Sequence, residues 1–142
     1  MKPGYASIVS KPSKLPASAC PCGGPKPYPE CCGRWHDGPL ALQAPTAEAL
    51  MRSRYSAFVL DKLPYLLATW HASTRPAALE PNPPDLKWLG LSIKKTANQD
   101  PDHATVEFVA RSRQAGRAHR LHELSRFVRE EGQWFYVDGE LY

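Results

Sequence analysis

From residue 46 onward the apolar positions follow two rhythms, one giving way to the other near residue 86. Ala47, Leu50, Met51, Tyr55, Phe58 and Val59 recur at three- and four-residue steps, which predicts an amphipathic helix from Thr46 to about Leu60. Thr46, following Pro45, is placed to cap it. Residues 61–64 break the pattern, "YLLATWH" predicts a second, shorter helix ending before the turn-rich "ASTRP", and "EPNPPD" reads as a linker. From Lys87 the step becomes two. Leu89, Leu91 and Ile93 alternate with Trp88, Gly90 and Ser92, and Ala104, Val106 and Phe108 alternate with Thr105 and Glu107. A third strand is expected from about Ala118 to Glu130 and a fourth from Trp134 to Asp138, with "EEG" a hairpin-sized turn between them. Two helices followed by a four-stranded meander is an α+β order, the helices covering one face of an antiparallel sheet.

Before residue 46 neither rhythm holds. Nine of the fifteen prolines lie there, a density of fixed φ angles and missing donors that forbids a long helix or a central strand. A chain of 142 residues buries one core. Residues 1–45 are therefore expected to be a loop-rich arm that needs a staple, and residues 46–142 the domain. No apolar run has the length of a signal or a membrane span, so a cytoplasmic location is expected. The net charge of +4 is too mild for a dedicated nucleic-acid binder.

The staple is legible in "CPCGGPKPYPECC". All four cysteines, Cys20, Cys22, Cys31 and Cys32, fall within it. In a reducing compartment such clustering points to metal more than to disulfides, and four thiolates suit a tetrahedral, structural Zn²⁺. Cys20 and Cys22 share a side of an extended segment, while adjacent Cys31 and Cys32 converge only by opening a tight turn or a helix. A Cys31–Cys32 disulfide is the competing reading, and His36 is held as a substitute for Cys32. Lys14, Lys26 and Arg34 are the cations expected to screen the site.

The spacing C-x-C-x8-C-C, with Gly23, Lys26 and Tyr28 between the pairs, resembles the SEC-C zinc motif found at the C-terminus of the SecA translocation motor and in many bacterial proteins. Gly23-Gly24-Pro25 stands where that family usually has Gly-Ser-Gly. The remainder, in "LMRSRYSAFVL", "YLLATWHASTRP", "WLGLSI", "VEFVARSR" and "LHELSRFVRE", resembles the YchJ family of uncharacterised bacterial proteins. That resemblance implies a SEC-C motif followed by an NTF2-like (cystatin-like) cone, and no established activity.

An NTF2-like sheet curls around its helices and leaves a concavity that serves different members differently. Leu121, Glu123, Ser125 and Phe127 share one side of the third strand, and Trp134, Tyr136 and Asp138 one side of the fourth. With the aromatic side inward, Glu123 enters the cone and needs a partner, for which Arg54, Arg75 and His71 are candidates. Tyr55 and Trp70 complete the pocket candidates. No nucleophile elbow, phosphate-binding glycine loop or HExxH occurs.

The first expectation is a non-enzymatic adaptor that contacts a protein or ribosomal partner through its zinc module, as the resemblance implies, with a small-ligand pocket in the cone. The second is an enzyme using Glu123 or His71 as acid-base groups on a small molecule. The third is nucleic-acid binding through Arg111, Arg113, Arg117, Arg120, Arg126 and Arg129 together with the basic N-terminal arm, although this run lacks the interleaved aromatics of a stacking platform.

Overall fold

The structure, a computed structural model of the chain, describes residues 19–142. The basic N-terminal arm, Lys14 included, lies outside the described residues. A 3₁₀ turn, Tyr28–Glu30, precedes three helices, α1 (Gly33–His36), α2 (Ala47–Val59) and α3 (Leu63–Ala68). Four strands follow, β1 (Leu86–Asp100), β2 (His103–Gln114), β3 (Arg117–Glu130) and β4 (Gln133–Leu141), paired antiparallel in sequence order. The expected α+β cone is present. Among the described residues no helix is long and apolar enough to cross a membrane.

Thr46 caps α2, its Oγ1 accepting from the Ala49 amide at 3.0 Å. The second helix differs from expectation at both ends. It starts at Leu63, because Pro64 sits in the first turn, where a missing N–H removes no helical bond. It stops at Ala68, so Trp70 and His71 are not helical. Trp70 instead bridges Tyr136 in parallel. The His71 amide donates to the Tyr136 carbonyl at 2.7 Å, and the Tyr136 amide donates to Thr69 at 2.8 Å. Strand-like pairing to β4 has replaced the last helical turn.

Two bulges reset which side chains face the helices. In β1 the register shifts between Trp88 and Gly90, leaving Leu89 extra and 49% exposed. Trp88 therefore joins Leu91 and Ile93 on the inner face, where the plain alternation had placed Leu89. In β4 the register shifts opposite Arg126 and Phe127: Tyr136 pairs with Phe127 inside, while Asp138 pairs with Arg126 outside. The shared side expected for Trp134, Tyr136 and Asp138 thus holds only for the first two. Two-residue turns with positive φ at Ala115 and Gly116, and at Glu131 and Gly132, close the last two hairpins. The first of these extends β2 and β3 well past their apolar residues.

The expected apolar stripe of α2, with Leu50, Met51 and Tyr55, packs on Val106, Phe108, Phe127 and Trp134 of the sheet. Its polar side is not solvated. From Leu50 to Ala57 every residue except half-buried Arg52 is buried, because residues 19–45 cover Ser53 and Ser56. One buried cluster runs from Cys20, Cys22, Cys32 and Trp35 through α2 to the sheet, so the expected boundary at residue 46 falls inside a continuous core.

Candidate functional site

Residues 20–23 form a tight turn, the Gly23 amide donating to Cys20 at 3.1 Å with Gly23 at φ +83°. A bridge from Ala19 to Pro27 closes the loop, and the 3₁₀ turn delivers Cys31 and Cys32 to the start of α1. Cys32 has helical φ and ψ, the convergence that two adjacent ligands require. The chain must pass close to itself here: a Cβ on Gly33 would lie 2.7 Å from the Tyr28 carbonyl.

The four sulfurs lie within 4.8 Å of one another, with Cys22 and Cys31 3.7 Å apart, and none is in a disulfide. The four cysteines are placed to bind a metal ion. Packed this closely, the thiols compete for protons. Hydrogen bonds from Cys22 and Cys32 hold Cys20 far below the usual thiol range. Cys32 is pushed far up by its hydrogen bonds to Cys20 and Cys22, and burial pushes Cys31 up to about 11. One cation bound among four close thiolates would remove that conflict.

His36 is not a ligand. Its Nε2–H donates to the Ser53 carbonyl at 2.8 Å, which leaves Nδ1 to accept from the Tyr28 hydroxyl at 2.6 Å. Burial lowers its pKa, so it is a neutral strut between the cysteine module and α2. Two further links run to the same helix: Arg52 Nη1 donates to the Cys22 carbonyl at 3.2 Å, and Cys20 Sγ lies 3.5 Å from Ser56 Oγ. Arg34, named from the sequence as a cation to screen the thiolates, donates to the Cys31 carbonyl, whereas Arg52 and Ser56, thirty or more residues away, carried no local signal.

On the opposite side of α2 the cone encloses a cavity of about 440 Å³. Of the candidates named from the sequence, Arg54, Tyr55, Trp70, Glu123, Ser125 and Tyr136 line it. Phe58, Trp88 and Phe108 complete its aromatic wall. Its mouth is the strap at residues 80–83, held down by Asn82, whose Nδ2 donates to the Phe58 carbonyl at 2.6 Å and whose amide donates to Asp61 at 2.9 Å. The 80–85 segment read simply as a linker from its prolines.

Three candidates lie elsewhere. Trp134 is buried in the core, donating to the Pro45 carbonyl at 3.3 Å. Arg75 is exposed and donates to the Trp70 carbonyl. His71 closes its own loop, with Nδ1 accepting from Ser73 and Nε2–H donating to Glu130 at 3.0 Å. Glu123 does enter the cone, but none of its three expected partners forms an ion pair with it. Its Oε2 accepts from Ser125 Oγ at 2.6 Å and from the Tyr136 hydroxyl at 3.2 Å, neutral donors that suffice to hold a carboxylate. Gly139 makes room for it, since a Cβ there would collide with that same oxygen. Burial and the nearby Glu123 carboxylate push the Tyr136 hydroxyl up to about 12.

Arg54 is 3% exposed and fixed by Nη1, which donates to the Leu66 carbonyl and to Thr69 Oγ1, both at 2.8 Å. Its guanidinium lies 5.0 Å from the ring centre of Trp70 and 4.6 Å from that of Tyr136. Burial pulls it down to about 10, still charged at neutral pH. The basic run falls mostly at the exposed tip of the β2–β3 hairpin, where Arg111 pairs directly opposite Arg120. Arg126 and Arg129 are instead engaged with Asp138 and Asp102.

The model of the YchJ middle NTF2-like domain matches residues 46–139. A UPF0225 protein of Bordetella parapertussis is 70% identical over 133 residues, 94% of this chain and 99% of the relative. One from Methylibium petroleiphilum is 68% identical over 122 residues, 86% of this chain and 88% of its own. Among solved structures, a SEC-C motif containing protein from Rhodopseudomonas palustris superposes with a TM-score of 0.74 at 30% identity, covering 87% of this chain and 98% of that one. A second, from Psychrobacter arcticus, gives 0.68 at 30% identity over 87% and 82%.

Proposed function

The chain belongs to the YchJ family, and from that premise we propose that it is a non-enzymatic ligand-binding protein of the cytoplasm, with a zinc-stapled SEC-C-like module docked on a cone whose cavity takes a small molecule. The cavity carries the reading. Its volume lies in the range of small-molecule sites, and its aromatic wall is interrupted by a few convergent polar groups, the usual composition of such sites. Zinc is favoured by the all-thiol set: tetrahedral bonds of about 2.3 Å imply sulfurs roughly 3.8 Å apart, against 3.7 Å between Cys22 and Cys31.

The acid-base alternative loses its second group. His71 is tied to Ser73 and Glu130 outside the cavity, and Tyr136, at about 12, is a poor proton relay at neutral pH. In the test of the main reading, purified protein contains one zinc per chain, and an environment-sensitive naphthalene dye binds with increased emission. Ala110→Phe, which narrows the cavity from β2, removes dye binding while the far-UV spectrum is kept. A dye that binds the narrowed variant equally well would place the ligand elsewhere.

A second reading, contact with a ribosomal or other anionic surface, is favoured by the four exposed arginines at the β2–β3 tip, which have no carboxylate within 4 Å among the described residues. Binding to an RNA oligomer that weakens steeply with salt, and further in Arg111→Glu, would support it; salt-insensitive binding would count against it.

A further inference from the structure

Building on the ligand-binding reading, we infer that the cavity takes a planar, electrically neutral molecule presenting a hydrogen-bond acceptor at one end and a donor at the other. At one end stands Arg54. Among the described residues its hydrogen bonds all leave from Nη1, so Nε and Nη2 have donors to spare. Beside it Trp70 Nε1 is buried with no partner among the described residues, and buried N–H groups are rarely left so. The spare guanidinium donors at this wall call for an acceptor such as a carbonyl oxygen.

At the other end stands Glu123. Both of its neutral donors reach Oε2, and Oε1 accepts from no described residue. An ionised carboxylate accepts several hydrogen bonds, so this end calls for a donor. Much of the remaining wall is rings: Trp88 stands edge-on to Tyr55 with centroids 5.7 Å apart and lies 6.3 Å from Phe58. Such a wall favours a flat, apolar body.

Charge balance excludes an ion. Tyr136 joins the two ends, its ring beneath the guanidinium and its hydroxyl on the carboxylate, so one positive and one negative charge face the same enclosed space. Glu80, at the mouth, is exposed to solvent. In low dielectric the two inner charges compensate each other, and a charged guest would leave one charge in excess.

The experiment compares three probes on one hydroxyl-bearing ring system, 6-hydroxy-2-naphthamide, 6-hydroxy-2-naphthoate and 6-hydroxy-2-naphthylmethylammonium, titrated into the zinc-loaded full chain and followed by tryptophan fluorescence, since Trp70 and Trp88 line the cavity. The wild type is expected to bind the amide about tenfold more tightly than either ion. Glu123→Gln, which leaves Arg54 uncompensated, should turn the preference to the naphthoate, and Arg54→Met should turn it to the ammonium. Tighter wild-type binding of either ion, or variants that keep the wild-type ranking, would overturn the inference and leave the ligand-binding reading standing. Failure of all three probes to bind the wild type would overturn that reading itself. Should either variant fail to fold, the wild-type ranking decides.

Discussion

The cysteine module and the cone cavity lie on opposite sides of α2 and are stabilised in opposite ways. The module is local: its four sulfurs come from thirteen consecutive positions, and backbone turns and polar struts to Arg52, Ser53 and Ser56 hold it, with Trp35 its main apolar anchor. The cavity is long-range, assembled from α2, the strap, and strands up to Tyr136, and held by ordinary apolar burial. A small module of this kind depends on its metal, whereas the cone depends on its core. The difference teaches that one helix can serve two regions with different sensitivities, so perturbing each should leave a distinct trace.

The largest effect is expected from Cys22→Ser, which removes a buried ligand. Bound zinc should fall from one per chain to near zero by elemental analysis, and amides of residues 28–36 should lose protection from hydrogen exchange. Retained zinc would mean the four sulfurs are not the site. Next comes the fragment 46–142, which we expect to fold cooperatively because it contains the whole cone. Its melting temperature should fall by about 10 °C, since the polar side of α2 loses its cover. A fragment with no cooperative transition would merge the two regions into one.

Gly139→Ala probes the cavity alone. The new methyl must displace the Glu123 carboxylate, at about 1–2 kcal/mol in denaturant midpoint analysis, and naphthamide binding should weaken; unchanged zinc content is required if the regions are distinct. A smaller, pH-dependent effect belongs to the module. Burial holds His36 below its unfolded value of about 6.5, so the unfolded chain binds the extra proton first. The stability due to neutral His36 is complete above that value and is lost as pH falls below it. Melting curves between pH 7.5 and 5.5 should therefore slope more steeply in the wild type than in His36→Gln; parallel slopes would remove His36 as the cause. Smallest of all is Glu123→Gln. Arg54 keeps its bonds to Leu66 and Thr69 and Gln Oε1 can accept from Ser125 and Tyr136, so the loss should stay within about 1 kcal/mol even though the cavity loses its compensating charge. A loss of 3 kcal/mol or more would restore the structural ion pair that the sequence suggested.

The cysteine cluster was legible because proximity in sequence guarantees proximity in space, and the fold order was legible because the helical and strand rhythms are long and clean. The cavity was legible only in part. Glu123, Ser125 and Tyr136 follow from alternation, but Trp88 reaches the wall only because Leu89 is bulged out, and no rhythm announces a bulge. The partners of Glu123 were misassigned for a related reason: charge suggested arginine or histidine, whereas two hydroxyls and the space left by Gly139 satisfied the carboxylate. His36 was weighed as a ligand because its chemistry is visible in sequence and its struts to Tyr28 and Ser53 are not. Hairpin ends were missed where both faces of the strands are polar.

The burial of α2 on all sides also bears on how its sequence can vary. A surface helix tolerates exchange at every third or fourth position, and a mutational scan of it beats with that period. From Leu50 to Ala57 the helix has no such free position, since only Arg52 is even partly exposed and it holds the Cys22 carbonyl. A saturation scan of this segment should give a flat plateau of intolerance with no helical beat, so that substitution data alone would hide that it is a helix.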